Sequence, residues 1–218
     1  MNFLLLIADL LSYLSPIFLL VVLIMGLLVF FNRKKTDNKI KIIIVFLSGS
    51  LLIDLCSRLS SIWIGSNLIF INIYGCFELI TLYYYLRQLK KIYPNWYHYL
   101  FYFILAYNIV EFFFVDFYDY TNFQSYSKTI NSLFLLIVSI TVTQNAIRFD
   151  KIKVIDKILM YMPIYFTISG LIGLPVNLLV NFIDETVYVV WSINVINIMI
   201  FYFVILLVLW KYGKIQKL

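Results

Sequence analysis

Long apolar runs separated by short polar connections fill this chain of 218 residues. A helix needs about 20 apolar residues to cross the hydrocarbon layer of a bilayer. Marking such runs predicts seven spans, at residues 3–31, 42–65, 67–89, 97–117, 127–149, 155–182 and 187–210. Little of the chain is left over, so the expected fold class is all-α, a polytopic membrane protein with one seven-transmembrane-helix bundle over residues 1–218. The first run is too long for a cleavable signal peptide and lacks a basic start, so it reads as a retained span. Pro16 falls mid-way along it, and Pro163 and Pro175 bracket "SGLIGLP" in the sixth span. Proline removes a backbone donor and kinks a helix, so breaks are expected at these places. Gly170 and Gly173 would let a neighbouring helix come close.

Inside the apolar runs the polar residues recur at helical spacing. At 100° per residue, Ser50, Asp54, Ser57, Arg58 and Ser61 fall on one face of the second span, opposite a face of Leu and Ile. Tyr74, Glu78, Thr81 and Tyr85 share a face of the third span. Tyr107 and Glu111 lie one turn apart on the fourth, with Asn108 adjacent. Ser132, Ser139 and Thr143 align on the fifth, Asn194 and Asn197 mark the seventh, and Asp9 the first. Each helix hides such a stripe by turning it toward the others.

Composition sharpens the membrane assignment. The chain is 63% hydrophobic and 13% charged, against about 45–50% and 25% in soluble domains. Its formal net charge of +6 would fit a nucleic-acid partner only if the placement of the charges were ignored. Fifteen of the 17 Lys and Arg lie in alternate connections and the tail: Arg33–Lys41, Arg87–Lys91, Arg148–Lys157 and Lys211–Lys217. The exceptions are Arg58 and Lys128. Asp116, Asp119, Asp184 and Glu185 lie in the other connections. The positive-inside rule then puts the amino terminus outside and the carboxyl terminus in the cytoplasm, with membrane lipids and not nucleic acid as surroundings.

With about 1.5 Å of rise per residue, Asp54 lies about 18 Å and Arg58 about 24 Å from the cytoplasmic edge, and Glu78 about 17 Å below the outer edge. Asp9 and Glu111 fall in the same outer half. The sequence therefore predicts a polar, outward-facing pocket in which Asp9, Asp54, Arg58, Glu78, Glu111, Asn194 and Asn197 bind a small ligand or ion. Four carboxylates around one guanidinium cannot all persist as bare charges near a bilayer midplane. Arg58 can hold one or two of them, with Asp54 the nearest, and the remainder take up a proton or hold a cation.

Much other chemistry is missing. His98 is the sole histidine, so no His-based metal site is expected. Cys56 and Cys76 fall at similar depths on adjacent helices, where free thiols in apolar surroundings are expected and a disulfide is the alternative. There is no phosphate-binding glycine loop and no G-x-S-x-G elbow, and no cofactor or catalytic residue is assigned. The stretches "YGCFELITLYYYLRQLKK" (74–91) and "WSINVINIMIFYFVILLVLW" (191–210) resemble a group of bacterial seven-helix inner-membrane proteins of about this length. That resemblance implies a multi-pass topology in a bacterial cytoplasmic (inner) membrane and no activity. The expected function is a ligand-sensing or regulatory subunit acting on a partner chain through its basic cytoplasmic loops. The alternatives are a proton- or cation-coupled transporter and a membrane-embedded lipid-modifying enzyme.

Overall fold

The computed structural model describes residues 3–32, 37–64, 67, 69–88, 95–113, 126–148, 154–179 and 185–215. Among these residues every regular element is a helix: α1 (Phe3–Phe31), α2 (Asn38–Ile64), α3 (Ile69–Arg87), α4 (Tyr97–Glu111), α5 (Ser127–Arg148), α6 (Met162–Leu179) and α7 (Glu185–Ile215). A 3₁₀ segment, Val154–Met160, leads into α6. All but α4 give a helical stretch long and apolar enough to cross a membrane, six in total. The chain is thus a multi-pass helical membrane protein. Asp116, Asp119, Asp184 and the side chains of Pro175 and Glu185 lie outside the described residues.

Three helix boundaries depart from the hydropathy pattern, each for a local reason. Helix α2 starts at Asn38, ahead of its apolar run, because the Asp37 carboxylate accepts the Lys39 N–H at 3.1 Å and caps the helix. Lys39 itself is buried in an ion pair with Asp156 of the 3₁₀ segment. Helix α7 continues past Trp210 to Ile215, with the Lys214 ammonium 4.0 Å from the Trp210 ring. The sixth span begins as 3₁₀ and becomes α-helical only next to Pro163. Proline at 163 has no N–H for the carbonyl four residues back, Leu159. The Thr143 hydroxyl of α5 donates to that carbonyl at 3.1 Å instead.

The packing order is a ring. Helix α1 packs on α2, α2 on α3, α3 on α5, α5 on α6, α6 on α7, and α7 back on α1. Helix α4 sits outside this ring against α5 and α3. Its direction follows from its contacts. Tyr97 meets Thr141 at 2.9 Å, whereas Asn108, eleven residues later, exchanges amide hydrogen bonds of 2.9 and 2.8 Å with Asn131. Helix α4 is therefore antiparallel to α5. Beside it Tyr83 of α3 stacks on Phe101 at 3.7 Å and hydrogen-bonds His98. Gly75 lies beside Lys128 and Asn131, and Tyr83 beside Phe134, so α3 and α5 run parallel. Helix α4 thus runs antiparallel to both α3 and α5, rising about 22 Å over its fifteen residues. Helices α1 and α7 are also parallel, since Gly26 meets Leu209 and Gly213 meets Val29.

Lys39, Arg87, Arg148, Lys211 and Lys214 gather at one end of the bundle, called here the basic end. Most of that half is filled by apolar and aromatic side chains, with Phe46, Leu47, Leu82, Phe201 and Ile205 all buried, and the buried Lys39–Asp156 pair lies among them. Outward faces carry exposed Leu, Ile, Val and Phe, such as Leu10, Ile17, Val21, Ile24 and Leu28 along α1. A belt of this kind would be an aggregation hazard in water and is ordinary against acyl chains.

Two glycines set the closest helix approaches. A Cβ on Gly173 of α6 would lie 2.5 Å from Thr129 Oγ1 of α5, as the small-residue pattern predicts. On α2 the ring of Phe77 from α3 lies over Gly49, so that a Cβ there would sit 2.1 Å from Cζ. Gly49→Ala is expected to cost about 1–3 kcal/mol through overpacking. Unfolding in detergent should show it, and Phe77→Leu in the same chain should restore most of the loss.

Candidate functional site

Away from the basic end the ring of helices leaves a space between them. A cavity of about 170 Å³ lies between α1, α2, α3, α5 and α7. That is slightly larger than an engineered protein cavity of about 150 Å³ that holds benzene. Its polar lining comprises Ser12 and Ser15 of α1, Ser50, Asp54, Ser57 and Arg58 of α2, Tyr74 of α3, Lys128 of α5, and Asn194 and Tyr202 of α7. Leu19, Ile53, Phe70, Ile71, Trp191, Val195 and Ile198 complete the wall.

The α2 stripe predicted from spacing reaches this cavity as a unit, apart from Ser61, which is exposed near the helix end. Asp54 and Arg58 pair across one helical turn, Nε donating to Oδ2 at 2.9 Å and Nη2 lying 3.4 Å from Oδ1. Nη2 also donates to the Ser12 carbonyl of α1 at 2.5 Å. Ser12 lies four residues before Pro16, so its carbonyl is the acceptor that the proline leaves without a helical donor. Arg58 thus satisfies the break in α1 with one edge while it binds Asp54 with the other. A neutral side chain of the same length could do only the first.

The seven residues singled out from sequence do not all converge. Asp54, Arg58 and Asn194 line the cavity. Glu78 and Asn197 lie one layer nearer the basic end. Glu78 is buried and accepts a hydrogen bond of 2.5 Å from the Tyr165 hydroxyl, and Asn197 donates to the Tyr165 carbonyl at 3.1 Å. Two tyrosines connect this layer to the cavity, for the Tyr74 and Tyr202 hydroxyls approach to 3.5 Å in its floor. Glu111 has a different task. Its Oε1 accepts the backbone N–H groups of Tyr126 (2.7 Å) and Ser127 (3.1 Å), capping the amino terminus of α5 from α4. Asp9 is exposed on α1 and is not part of the lining. The expected layer of four acids around one arginine is therefore one acid paired to one arginine, a second acid hydrogen-bonded below, and two acids elsewhere.

Lys128 is the residue that sequence reasoning left out of the site. It sits one residue into α5, lines the cavity, and makes no ion pair with a described residue. Its ammonium lies 5.9 Å from the centre of the Tyr74 ring. The signal for it was present: Lys128 and Arg58 are the two cations outside the basic connections, and both arrive here. Ser50 Oγ is buried, lies beside the Tyr202 hydroxyl and lacks hydrogen-bond geometry to any described group. Cys56 and Cys76 are free thiols, half buried. No group of three or more His, Cys, Asp or Glu that could hold a metal occurs among the described residues.

Comparison with protein-family models, with curated proteins and with solved structures finds no match to this chain.

The joint between α1 and α2 generates a test. Arg58→Met removes the donor to Ser12 and the partner of Asp54 and is expected to cost about 1–3 kcal/mol. Pro16→Ala returns an N–H to the Ser12 carbonyl, so the two changes together should cost less than the sum of each alone. A double-mutant cycle by reversible unfolding reads this coupling, expected at about 0.5 kcal/mol or more. Strict additivity would mean that Arg58 does not serve the proline break.

Proposed function

We propose that this protein is a ligand-sensing or regulatory membrane subunit of a bacterial cytoplasmic membrane, spanning it seven times with its amino terminus outside. The observation that carries this reading is a cavity confined to one half of the bundle, lined by charged, polar and apolar side chains, with mainly apolar packing in the half beyond. Its five contributing helices would all feel an occupant. Arg58 makes that sensitivity specific, because it lines the cavity and also holds the proline break of α1. An occupant that drew Arg58 or Asp54 into new pairs would change the energy of that break, giving the differential interaction that a ligand-driven shift requires. Helix α1 and its parallel neighbour α7 then run from the cavity to the basic end, where a partner chain would meet Arg33–Lys41 and the tail.

Orientation is argued from charge. The basic connections and the end of α7 belong on the cytoplasmic side, which leaves the cavity facing out. The direction of α4, set by its contacts, supports a seventh pass. A fluorescent reporter fused after Leu218 should be bright and a periplasm-dependent phosphatase at the same place inactive; the reverse pattern would overturn the orientation.

Transport of protons or cations is the second reading, supported by the link from the cavity through Tyr74, Tyr202 and Tyr165 to Glu78. Against it stands the packing of Phe46, Leu82, Phe201 and Ile205 beyond Glu78; the buried polar groups of that half are already engaged, Thr81 and Tyr85 with backbone carbonyls and Lys39 with Asp156. Purified chain in proteoliposomes is expected to leave an imposed pH or potassium gradient as stable as in empty vesicles. Decay of the gradient that Glu78→Gln abolished would replace sensing with transport.

A further inference from the structure

The charge lining the cavity identifies the class of molecule that it would hold. Two of its groups are cations and one is a carboxylate, and the carboxylate is already paired: Asp54 is held by Arg58. What is left over is the Lys128 ammonium. Glu78, whose field reaches it, is buried a layer away and bonded to Tyr165. Lys128 is half-buried on the wall of this open cavity without an ion-pair partner among the described residues, and an ammonium so placed is a ready charge-assisted donor to an anion of one charge. The hydroxyls and amide around it add donors, among them the buried and unsatisfied Ser50 Oγ, the Tyr74 and Tyr202 hydroxyls in the floor, and Asn194 on the far wall. The remaining wall is apolar, with Leu19, Phe70, Trp191 and Ile198.

We infer that the cavity binds a small organic monocarboxylate, its carboxylate on Lys128 and the donors of the floor, its apolar body against Phe70 and Trp191. The inference rests on the sensing reading above and narrows its ligand. A cation is disfavoured because the one carboxylate of the lining is committed to Arg58. A dianion would leave a surplus negative charge. The volume limits the ligand to about the size of benzene with a small substituent, which excludes an acyl chain held wholly inside.

Trp191 in the wall supplies a readout independent of any activity. Full-length protein in detergent would be titrated with butyrate, with butyramide and butylamine as neutral and cationic isosteres, and with laurate as a lipid-derived acid. Butyrate is expected to shift the emission of Trp191 saturably, with a signal absent in Trp191→Phe, and to raise the unfolding temperature. Lys128→Met should weaken binding on the order of 10- to 100-fold, as for loss of a charge-assisted hydrogen bond, while Lys128→Arg retains most of it. Undiminished binding to a folded Lys128→Met protein would overturn the role of Lys128. Saturable binding of butylamine or butyramide in preference to butyrate would overturn the carboxylate and leave the sensing cavity standing. Response to laurate alone would overturn the short ligand in favour of a lipid acid. Silence toward all four probes would overturn the monocarboxylate, and gradient decay dependent on Glu78 would in addition overturn the sensing reading.

Discussion

One hydrogen bond organises the cavity end of this bundle: Arg58 to the carbonyl of Ser12. Proline at position 16 breaks the ladder of α1 in a region where lipid supplies no donor, and an orphan carbonyl there costs several kcal/mol. A donor must therefore come from a neighbouring helix. Arginine reaches it with a guanidinium, but an arginine brought to that depth needs an anion, and Asp54 one turn away provides it. The three groups form a chain of necessity. Proline calls for the donor, the donor carries a charge, and the charge calls for the acid. Charged side chains in the middle of a greasy segment are thereby accounted for before any ligand is considered.

The same device recurs without charge at the other end. Thr143 donates to Leu159, the carbonyl left by Pro163, and no ion is needed because a hydroxyl on the adjacent α5 is within reach. The contrast is informative. Pro163 stands at a helix start, where missing N–H groups are tolerated, and α5 lies close enough there for the short Thr143 side chain to reach. Pro16 stands within α1, where the neighbouring helix sits across a cavity and only a long side chain bridges the gap. Length, more than charge, explains arginine at position 58; the charge is what length brings with it.

Hydropathy made the number and order of helices legible, because 20-residue apolar runs have few other uses, and spacing identified the α2 stripe down to Ser50, Asp54, Ser57 and Arg58. Depth was a poorer guide. Asp9, Glu78 and Glu111 were placed together because they share a level, but level says nothing of azimuth. Glu111 is claimed by the free N–H groups of the next helix, a demand that follows from where α5 begins. Glu78 is claimed by Tyr165, whose partner on α6 no periodicity within α3 could reveal. Asp9 faces outward on α1. Conversely Lys128 looked like an edge residue. It was marked only as an exception to the charge asymmetry, and exceptions to a rule that governs fifteen other residues deserved the weight that regular stripes received.

Apolar packing and the polar cavity divide the bundle along its length, and the division bears on mechanism. Phe46, Phe77, Phe201 and Tyr165 interlock in stacked and edge-on pairs just below the Tyr74–Tyr202 floor. Close-packed cores of this kind are stiff and favour discrete rearrangements over gradual ones. An occupant of the cavity therefore has little freedom to act downward through the centre. The softer route is lateral, through α1, whose ladder is already interrupted and whose outer face meets lipid. Helix α1 runs unbroken from Phe3 to Phe31 but lacks one ladder bond at Pro16, so a change in the Arg58 bond would act on its weakest point and would be passed to α7 along their shared seam at Gly26, Leu209, Val29 and Gly213. On this reasoning the response to a ligand would travel along the periphery of the bundle while its aromatic centre stays fixed.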